Sequence, residues 1–357
     1  MRRATRNPSA RWIVAGVRVL TVAAALLVPV AATAGSAAAA TRGGLPAHVY
    51  APYYETYLAP DTASISSTAQ QSGARYFTLA FLQTPKKGSC RLDWNGNPAQ
   101  PLGYYTADIA ALRAAGGDVI PSFGGFSADS GGTEIADSCQ SVSQIAAAYE
   151  SVVKTLGVTT LDMDVEANSL TNQAGIDRRN KAIELAQHWA AGRGIRLRIQ
   201  YTLPIEPQGL DQSDTAVLRS AIANGARVHS VNIMVFDYYL PHEGTLNMGA
   251  EALSAAEHTH RQLAALYPGR SPARLWTMLG MTLLPGVDDH PQKKEVTYLR
   301  DARTMLRFAQ AHGMNFLSIW AIQRDNGGCP GAADSNTCSG IKQNTWDFSH
   351  LLEPFTR

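Results

Sequence analysis

Eight short β-rich runs, separated by stretches with helical spacing, limit most strongly what this chain can fold into. The runs occupy 48–55, 76–83, 118–125, 160–166, 195–204, 230–239, 275–282 and 315–324. Helical patterns lie between them, for example at 108–115, 143–156, 179–191 and 301–312; in the last, Thr304, Met305, Phe308 and Ala309 recur at three- and four-residue intervals. Strands that alternate with helices pair in parallel through crossovers, and eight of them is the count of a (β/α)8 TIM barrel. An open doubly wound sheet would need a glycine-rich phosphate turn after an early strand, and the sequence has none. No Pro/Thr or Gly/Ser linker and no internal repeat divides the chain, so 41–357 is expected to be one catalytic-sized domain, without a large insertion between strands seven and eight.

The first 40 residues read differently. Arg2, Arg3, Arg6, Arg11 and Arg18 precede or flank an apolar run at 19–30, and an alanine-rich stretch follows at 31–40. Basic start, apolar middle and small-residue end are the order of a secretory signal peptide, and the apolar run is too short for a membrane span. Residues 1–40 are therefore expected to be a leader cleaved near Ala40, leaving a secreted, extracellular protein with no membrane segment. Arg2-Arg3 hints at twin-arginine export, without the full motif. Those five arginines come with no acidic residue, so removing them takes the net charge from +2 to −3. The basic excess leaves with the leader, and no nucleic-acid footprint remains.

Cys90, Cys139, Cys329 and Cys338 are even in number in a chain expected to be exported, which favours disulfides. Four cysteines permit three pairings. Cys329 with Cys338 would close a short local loop and leave Cys90 with Cys139. Zinc is disfavoured, because no Cys-x-x-Cys or nearby histidine accompanies them.

In barrels of this kind chemistry sits at the C-terminal ends of strands. The fourth run ends Leu161-Asp162-Met163-Asp164-Val165-Glu166. Strand side chains alternate faces, so Asp162, Asp164 and Glu166 point together into the barrel, spaced roughly 7 Å apart, while Leu161, Met163 and Val165 face the helices. Three like charges on one inner face cannot all stay ionised, and repulsion and burial raise at least one pKa. A carboxyl kept protonated near neutrality can act as a general acid. Two blander readings compete: an acidic face of a half-solvated sheet, and an oxygen-ligand site for Ca²⁺ or Mg²⁺, for which no further acid or Asn cluster follows. No metal and no cofactor are expected.

These residues also resemble a known family. Asp162-x-Asp164-x-Glu166 resembles the end of the Asp-x-x-Asp-x-Asp-x-Glu signature of family 18 glycoside hydrolases, the retaining chitinases. Ser122-Phe123-Gly124-Gly125 is similar to that family's third strand, Val231 through Tyr238 to its sixth, Leu279-Gly280-Met281-Thr282 to its seventh, and Ser318-Ile319-Trp320 to its last. Leu161 through Asn180, with Gly175-Ile176-Asp177-Arg178-Arg179-Asn180, looks like a bacterial subgroup. The likeness runs from about Val49 to about Asp325, and five motifs stand in family order.

What the resemblance implies is a substrate-assisted cleavage of β-1,4-linked N-acetylglucosamine, in which the substrate's own acetamido oxygen attacks and no enzyme nucleophile is needed. Glu166 would be the acid and then the base, Asp164 would hold the acetamido N–H, and Asp162 would support Asp164 by a shared proton or hydrogen bond. Trp320 would floor the sugar site, Asp237 and Met234 would line the acetamido pocket, and Ser122 and Gly124 would belong to the binding region. Two positions depart from the pattern. Thr159 stands for the signature's first Asp, where it can hydrogen-bond Asp162 but not share a charge. Phe236 stands for a Tyr whose hydroxyl contacts the acetamido oxygen, and Tyr201 or Tyr238 is expected to replace it. Tyr53 and Tyr54 end the first strand and would extend the groove or pack its rim. The partners implied are chitin or its oligosaccharides, acting on a monomer. An endo-β-N-acetylglucosaminidase of N-glycans and a chitin-binding lectin on the same barrel are the alternatives; the intact Glu166 argues against the lectin.

Overall fold

The computed structural model describes residues 44–61, 63–238, 246–288, 295–332 and 335–357; the expected leader lies outside them. All eight expected runs form strands, and they close into a barrel. From Tyr76–Gln83 the parallel order runs through Asp118–Gly124, Thr160–Asp164, Arg198–Pro204, Val228–Met234, Leu279–Leu283 and Phe316–Ile319. The first strand completes the ring in two pieces. Val49–Tyr50 pairs with Phe316–Ile319, and Tyr53–Glu55 pairs with Tyr76–Gln83. Pro52, which lacks an N–H, sits at the break.

The register sorts the side chains. Ser122, Asp162, Gln200 and Ser230 lie level across four strands, and Gly124, Asp164, Thr202, Asn232 and Gly280 form the level above. The polar members of both levels are buried inside the barrel, stacked in layers as inward residues of such barrels are. The alternate residues, among them Leu161, Met163, Val165, Ile199, Val231 and Leu279, join the main apolar core under the helices. Small residues let the helices approach: Ala182, Ala186 and Ala190 are the buried stripe of Gln173–Ala191.

The helix Val142–Leu156 shows how the ends are set. Ser141 accepts from the Gln144 N–H at its start, and Gly157, at φ 67°, ends it in the left-handed conformation that glycine tolerates. Among the described residues, the hairpin Gly286–Val287/Val296–Thr297 and the helix Leu299–His312 are the elements between strands seven and eight. The expected absence of an inserted domain there holds.

The cysteines pair 90 with 139 and 329 with 338. Cys90–Cys139 ties the segment after the second strand to the end of the short helix Ile135–Ser138, across 49 residues; Cys329–Cys338 spans nine. In the chain-entropy account, loops of these lengths are worth about 4 and about 2.5 kcal/mol. Replacing Cys90 and Cys139 by Ser is therefore expected to lower the urea-unfolding free energy more than replacing Cys329 and Cys338. The reverse ranking would show that native packing, not loop length, sets their contribution.

Candidate active site

The C-terminal ends of the strands open on a cleft of about 650 Å3. Asp164, Glu166, Met234, Phe236, Asp237 and Trp320 all line it, as do Tyr57, Phe81, Gln83, Asn95, Phe126, Ser127 and Asn336. The acid row thus faces the barrel's mouth, as the strand alternation predicts.

The three acids occupy different environments. Asp162, the deepest, accepts four hydrogen bonds. Tyr53 Oη (2.9 Å) and Ser122 Oγ (2.7 Å) donate to one oxygen, and Gln200 Nε2 (3.0 Å) and Thr202 Oγ1 (2.7 Å) donate to the other. Burial raises its pKa, and these four donors oppose the rise. Asp164 is also buried, but its Oδ1 meets no hydrogen-bond partner among the described residues. Burial first, then the charges of Glu166, Asp162 and Asp129, push its pKa well above the ordinary carboxylate value. Glu166 is half-buried, with extended backbone just past the strand. Burial lifts its carboxyl to about 7, and a hydrogen bond from the Phe126 N–H restrains the rise.

Asp129, which the sequence pattern does not single out, completes the group. It lies on the helix Phe126–Gly131, and its Oδ2 accepts the Glu166 N–H at 2.5 Å. Burial and Glu134 raise its pKa, while the Arg179 guanidinium lowers it. Behind it Arg179 and Glu134 form a fully buried ion pair at 2.9 Å. Gly124 makes this closeness possible. At φ 92°, a Cβ there would stand 2.1 Å from the Asp164 carbonyl oxygen and 3.2 Å from Asp129 Oδ1.

Aromatic rings form one wall. Trp320 stacks on Phe81, with centroids 5.5 Å apart at 24°, and Tyr53 meets its edge at 5.4 Å. Phe126 and Tyr57 are among the few large apolar residues left exposed. Phe126 opens a short helix and Tyr57 lies in a 3-10 turn after the first strand, so neither carries a long periodic signal; only their exposed aromatic character could have marked them.

Several expectations need correction. Tyr54 turns to the helices, its hydroxyl donating to the Ala63 carbonyl (2.6 Å); its neighbour Tyr53 points inward. Tyr201 sits on the outward row beside Met163, and its hydroxyl donates to Asn180 Oδ1 (2.6 Å). Tyr238 is buried beyond the strand, where Glu295, Glu251 and Asp288 raise its pKa after burial itself. Neither replaces the missing hydroxyl, and Phe236 presents a bare ring to the cleft. Ser122 lies level with Asp162 and Gly124 level with Asp164, and neither lines the cleft. Thr159 is three residues from Asp162, hence on the opposite strand face, and Asp162's four donors come from other strands. Among the described residues Asp164 is not one of its hydrogen-bond partners: Asp162 acts on Asp164 through charge, not a shared hydrogen bond.

Comparisons with known proteins follow the same lines. No family model matches the chain. A probable bifunctional chitinase/lysozyme of Escherichia coli K12 is 34% identical over 321 residues, covering 87% of this chain and 35% of that protein. Endochitinase 11 of Metarhizium anisopliae is 36% identical over 289 residues, covering 78% of this chain and 53% of that one. The chain thus spans about a third to a half of the length of these curated relatives. The solved catalytic domain of a hyperthermophilic chitinase from Pyrococcus furiosus is 30% identical, with a TM-score of 0.75, covering 87% of this chain and 95% of that domain. With the barrel, the inward acid row and this full-length match to a solved catalytic domain, the chain belongs to the family 18 glycoside hydrolases, the family of the chitinases.

Proposed function

We propose that this protein is a secreted chitinase that hydrolyses β-1,4 bonds between N-acetylglucosamine units with retention, using the substrate's acetamido group as nucleophile. One observation carries the reading. Glu166, held near pH 7 in its protonated form, shares a cleft with Asp164, whose buried oxygen has no partner among the described residues.

Each group then has a task. Glu166 protonates the leaving glycosidic oxygen and, once ionised, takes a proton from the attacking water. Asp164 offers its unpaired oxygen to the acetamido N–H, orienting the carbonyl toward the anomeric carbon and stabilising the cationic ring that forms. Asp162 is the most fully hydrogen-bonded of the three, and its charge raises the proton affinity of Asp164. Trp320, braced by Phe81 and Tyr53, gives the sugar's apolar face a flat support. Met234 and Asp237 line the same cleft as Asp164, which supports their role in the acetamido pocket. With a bare Phe236 ring in place of a tyrosine hydroxyl, the acetamido oxygen is left to act as nucleophile with one donor fewer. The absence of a domain between strands seven and eight leaves the cleft open, which suits internal cutting with little processivity.

Four outcomes test this. Glu166→Gln should reduce turnover of chitin oligomers about 10²–10⁴-fold, the scale of general acid catalysis, while oligomer binding by calorimetry persists; wild-type turnover would sink the assignment. A chitin-binding lectin would show no turnover in either form, and an endo-β-N-acetylglucosaminidase would prefer a high-mannose glycopeptide to chitin oligomers.

The pH dependence has a fixed sign. The folded pKa of Glu166 is raised from 4.5 to about 7, so the native state holds a proton that the unfolded chain releases in that window. Stability tied to this proton is complete below about 4.5 and is lost as pH rises through about 7. In parallel kcat/KM should fall above about pH 7. The Glu166→Gln protein should lack the stability slope, which pH-dependent urea titrations read directly.

Asp129 positions Glu166 through its main chain. Asp129→Ala should lower kcat with little change in KM and cost about 1–3 kcal/mol for the orphaned N–H, whereas Asp129→Asn, which keeps an acceptor, should recover most of both. Equal loss in the two variants would argue against positioning. Finally, early products from polymeric chitin should be a spread of oligomers; mainly dimer from the first time points would indicate a processive enzyme.

A further inference from the structure

The opposite end of the barrel carries a second cavity, of about 430 Å3. It opens at the N-terminal ends of the strands Arg198–Pro204 and Val228–Met234, beside the helix Pro272–Trp276. Five arginines and a histidine converge on it: Arg196, Arg198, Arg227, Arg270, Arg274 and His229. No acidic residue lines it. None of the five guanidinium groups forms an ion pair among the described residues. What they do touch is neutral. Arg198 donates to the Leu45 carbonyl (3.4 Å), Arg274 to Thr277 Oγ1 (3.3 Å), and Arg270 lies over the Tyr267 ring (4.4 Å) and against the Met278 sulfur.

This concentration does not follow from overall composition, since residues 41–357 carry a net charge of −3. Like charges gathered without counter-charge repel one another and work against folding. Their crowding registers on His229. Burial first, then Arg198, Arg196, Arg274 and Arg270, push its pKa down to about 4. Arg198 is likewise lowered, by burial and by Arg196. A bound anion would relieve both effects. Guanidinium forks bind tetrahedral oxyanions through paired N–H groups, and the cavity has room for more than one such group.

We propose that this basic cavity is a binding site for a multivalent phosphate-class oxyanion, remote from the sugar cleft and independent of it. The ligand would be taken up free in solution or as a phosphate carried on a larger chain; the shared chemistry is the doubly or more highly charged phosphate.

The test is calorimetry of the full protein in metal-free buffer at 0.15 M NaCl, with inorganic pyrophosphate as probe. A glycerol-phosphate polymer in a second arm, matched in phosphate, distinguishes the two sources by which binds more tightly. Wild type should bind pyrophosphate and gain melting temperature relative to NaCl of equal ionic strength. Arg196→Ala/Arg274→Ala, at two exposed positions, should weaken binding about tenfold or more and abolish the thermal gain, with chitin-oligomer turnover unchanged. The His229 imidazole, followed by NMR, should take up its proton at a higher pH once pyrophosphate is bound. Pyrophosphate binding no better than chloride, equal binding by the double variant, or an unmoved His229 titration would each overturn the proposal.

Discussion

Everything at the mouth of this barrel depends on where Asp162 is anchored. A carboxylate taken fully out of water is tolerated only when its charge is met by hydrogen bonds. Here four donors from three strands meet it: Tyr53 from the first, Ser122 from the third, and Gln200 and Thr202 from the fifth. That network fixes one negative charge on the barrel axis and spends the inward residues of adjacent strands on doing so: Tyr53, Ser122, Gln200 and Thr202 are polar because Asp162 is there. Asn232 extends the set, donating to Thr202 and Thr282. The four donors oppose the rise that burial causes in Asp162, and the charge of Asp162 adds to the rise in its neighbour Asp164. Asp164 has no such donors for one of its oxygens, and Glu166 has a single backbone N–H. The carboxyl of Asp164 is therefore pushed well above its ordinary value and that of Glu166 to about 7, at the end of the row that opens on the cleft.

The architecture was legible because its signal is periodic. Eight β-rich runs each became a strand, and the alternation of Leu161, Asp162, Met163 and Asp164 alone placed the acids inward. The breaks came where periodicity stops. The first strand reads as one run yet splits at Pro52, which the sequence displays but whose effect on pairing depends on which neighbours flank it. The fourth run was read through Glu166, whereas ladder pairing ends at Asp164; the chain stays extended beyond it through the Val165 N–H to the Thr202 carbonyl (3.0 Å). The helix read as 179–191 begins six residues earlier, at Gln173, because the Asn172 side chain caps the Gly175 N–H and pulls the first turns into register.

At the site, resemblance located the acids and Trp320, but the tyrosines show the limit of matching residue type without applying strand parity. Asp162 is level with Gln200, so Tyr201 must face outward. Tyr53 faces Asp162, so Tyr54 cannot. Both follow from alternation already in hand. Phe81, Gln83 and Asn95 are another matter. They reach the cleft from strand ends and loops that are distant in sequence, and only the closed barrel brings them together. No local pattern in the chain encodes such a meeting.

Asp129 also explains a buried ion pair that the sugar cleft does not touch. A fourth carboxyl beside Asp164 and Glu166 adds negative charge where there is already too much. Arg179 offsets it: its guanidinium draws the Asp129 pKa down while being held by Glu134, which itself caps the helix Ile135–Ser138 through the Ala136 and Asp137 N–H groups. A buried Arg–Glu pair is weak support for stability in its own right, because desolvation consumes most of the attraction. Its retention makes sense as a charge reference behind the site. It limits the rise in the Asp129 pKa while Asp129 grips the Glu166 main chain, and the proton affinity of Glu166 is set by burial in the cleft rather than by the carboxyl that holds its backbone.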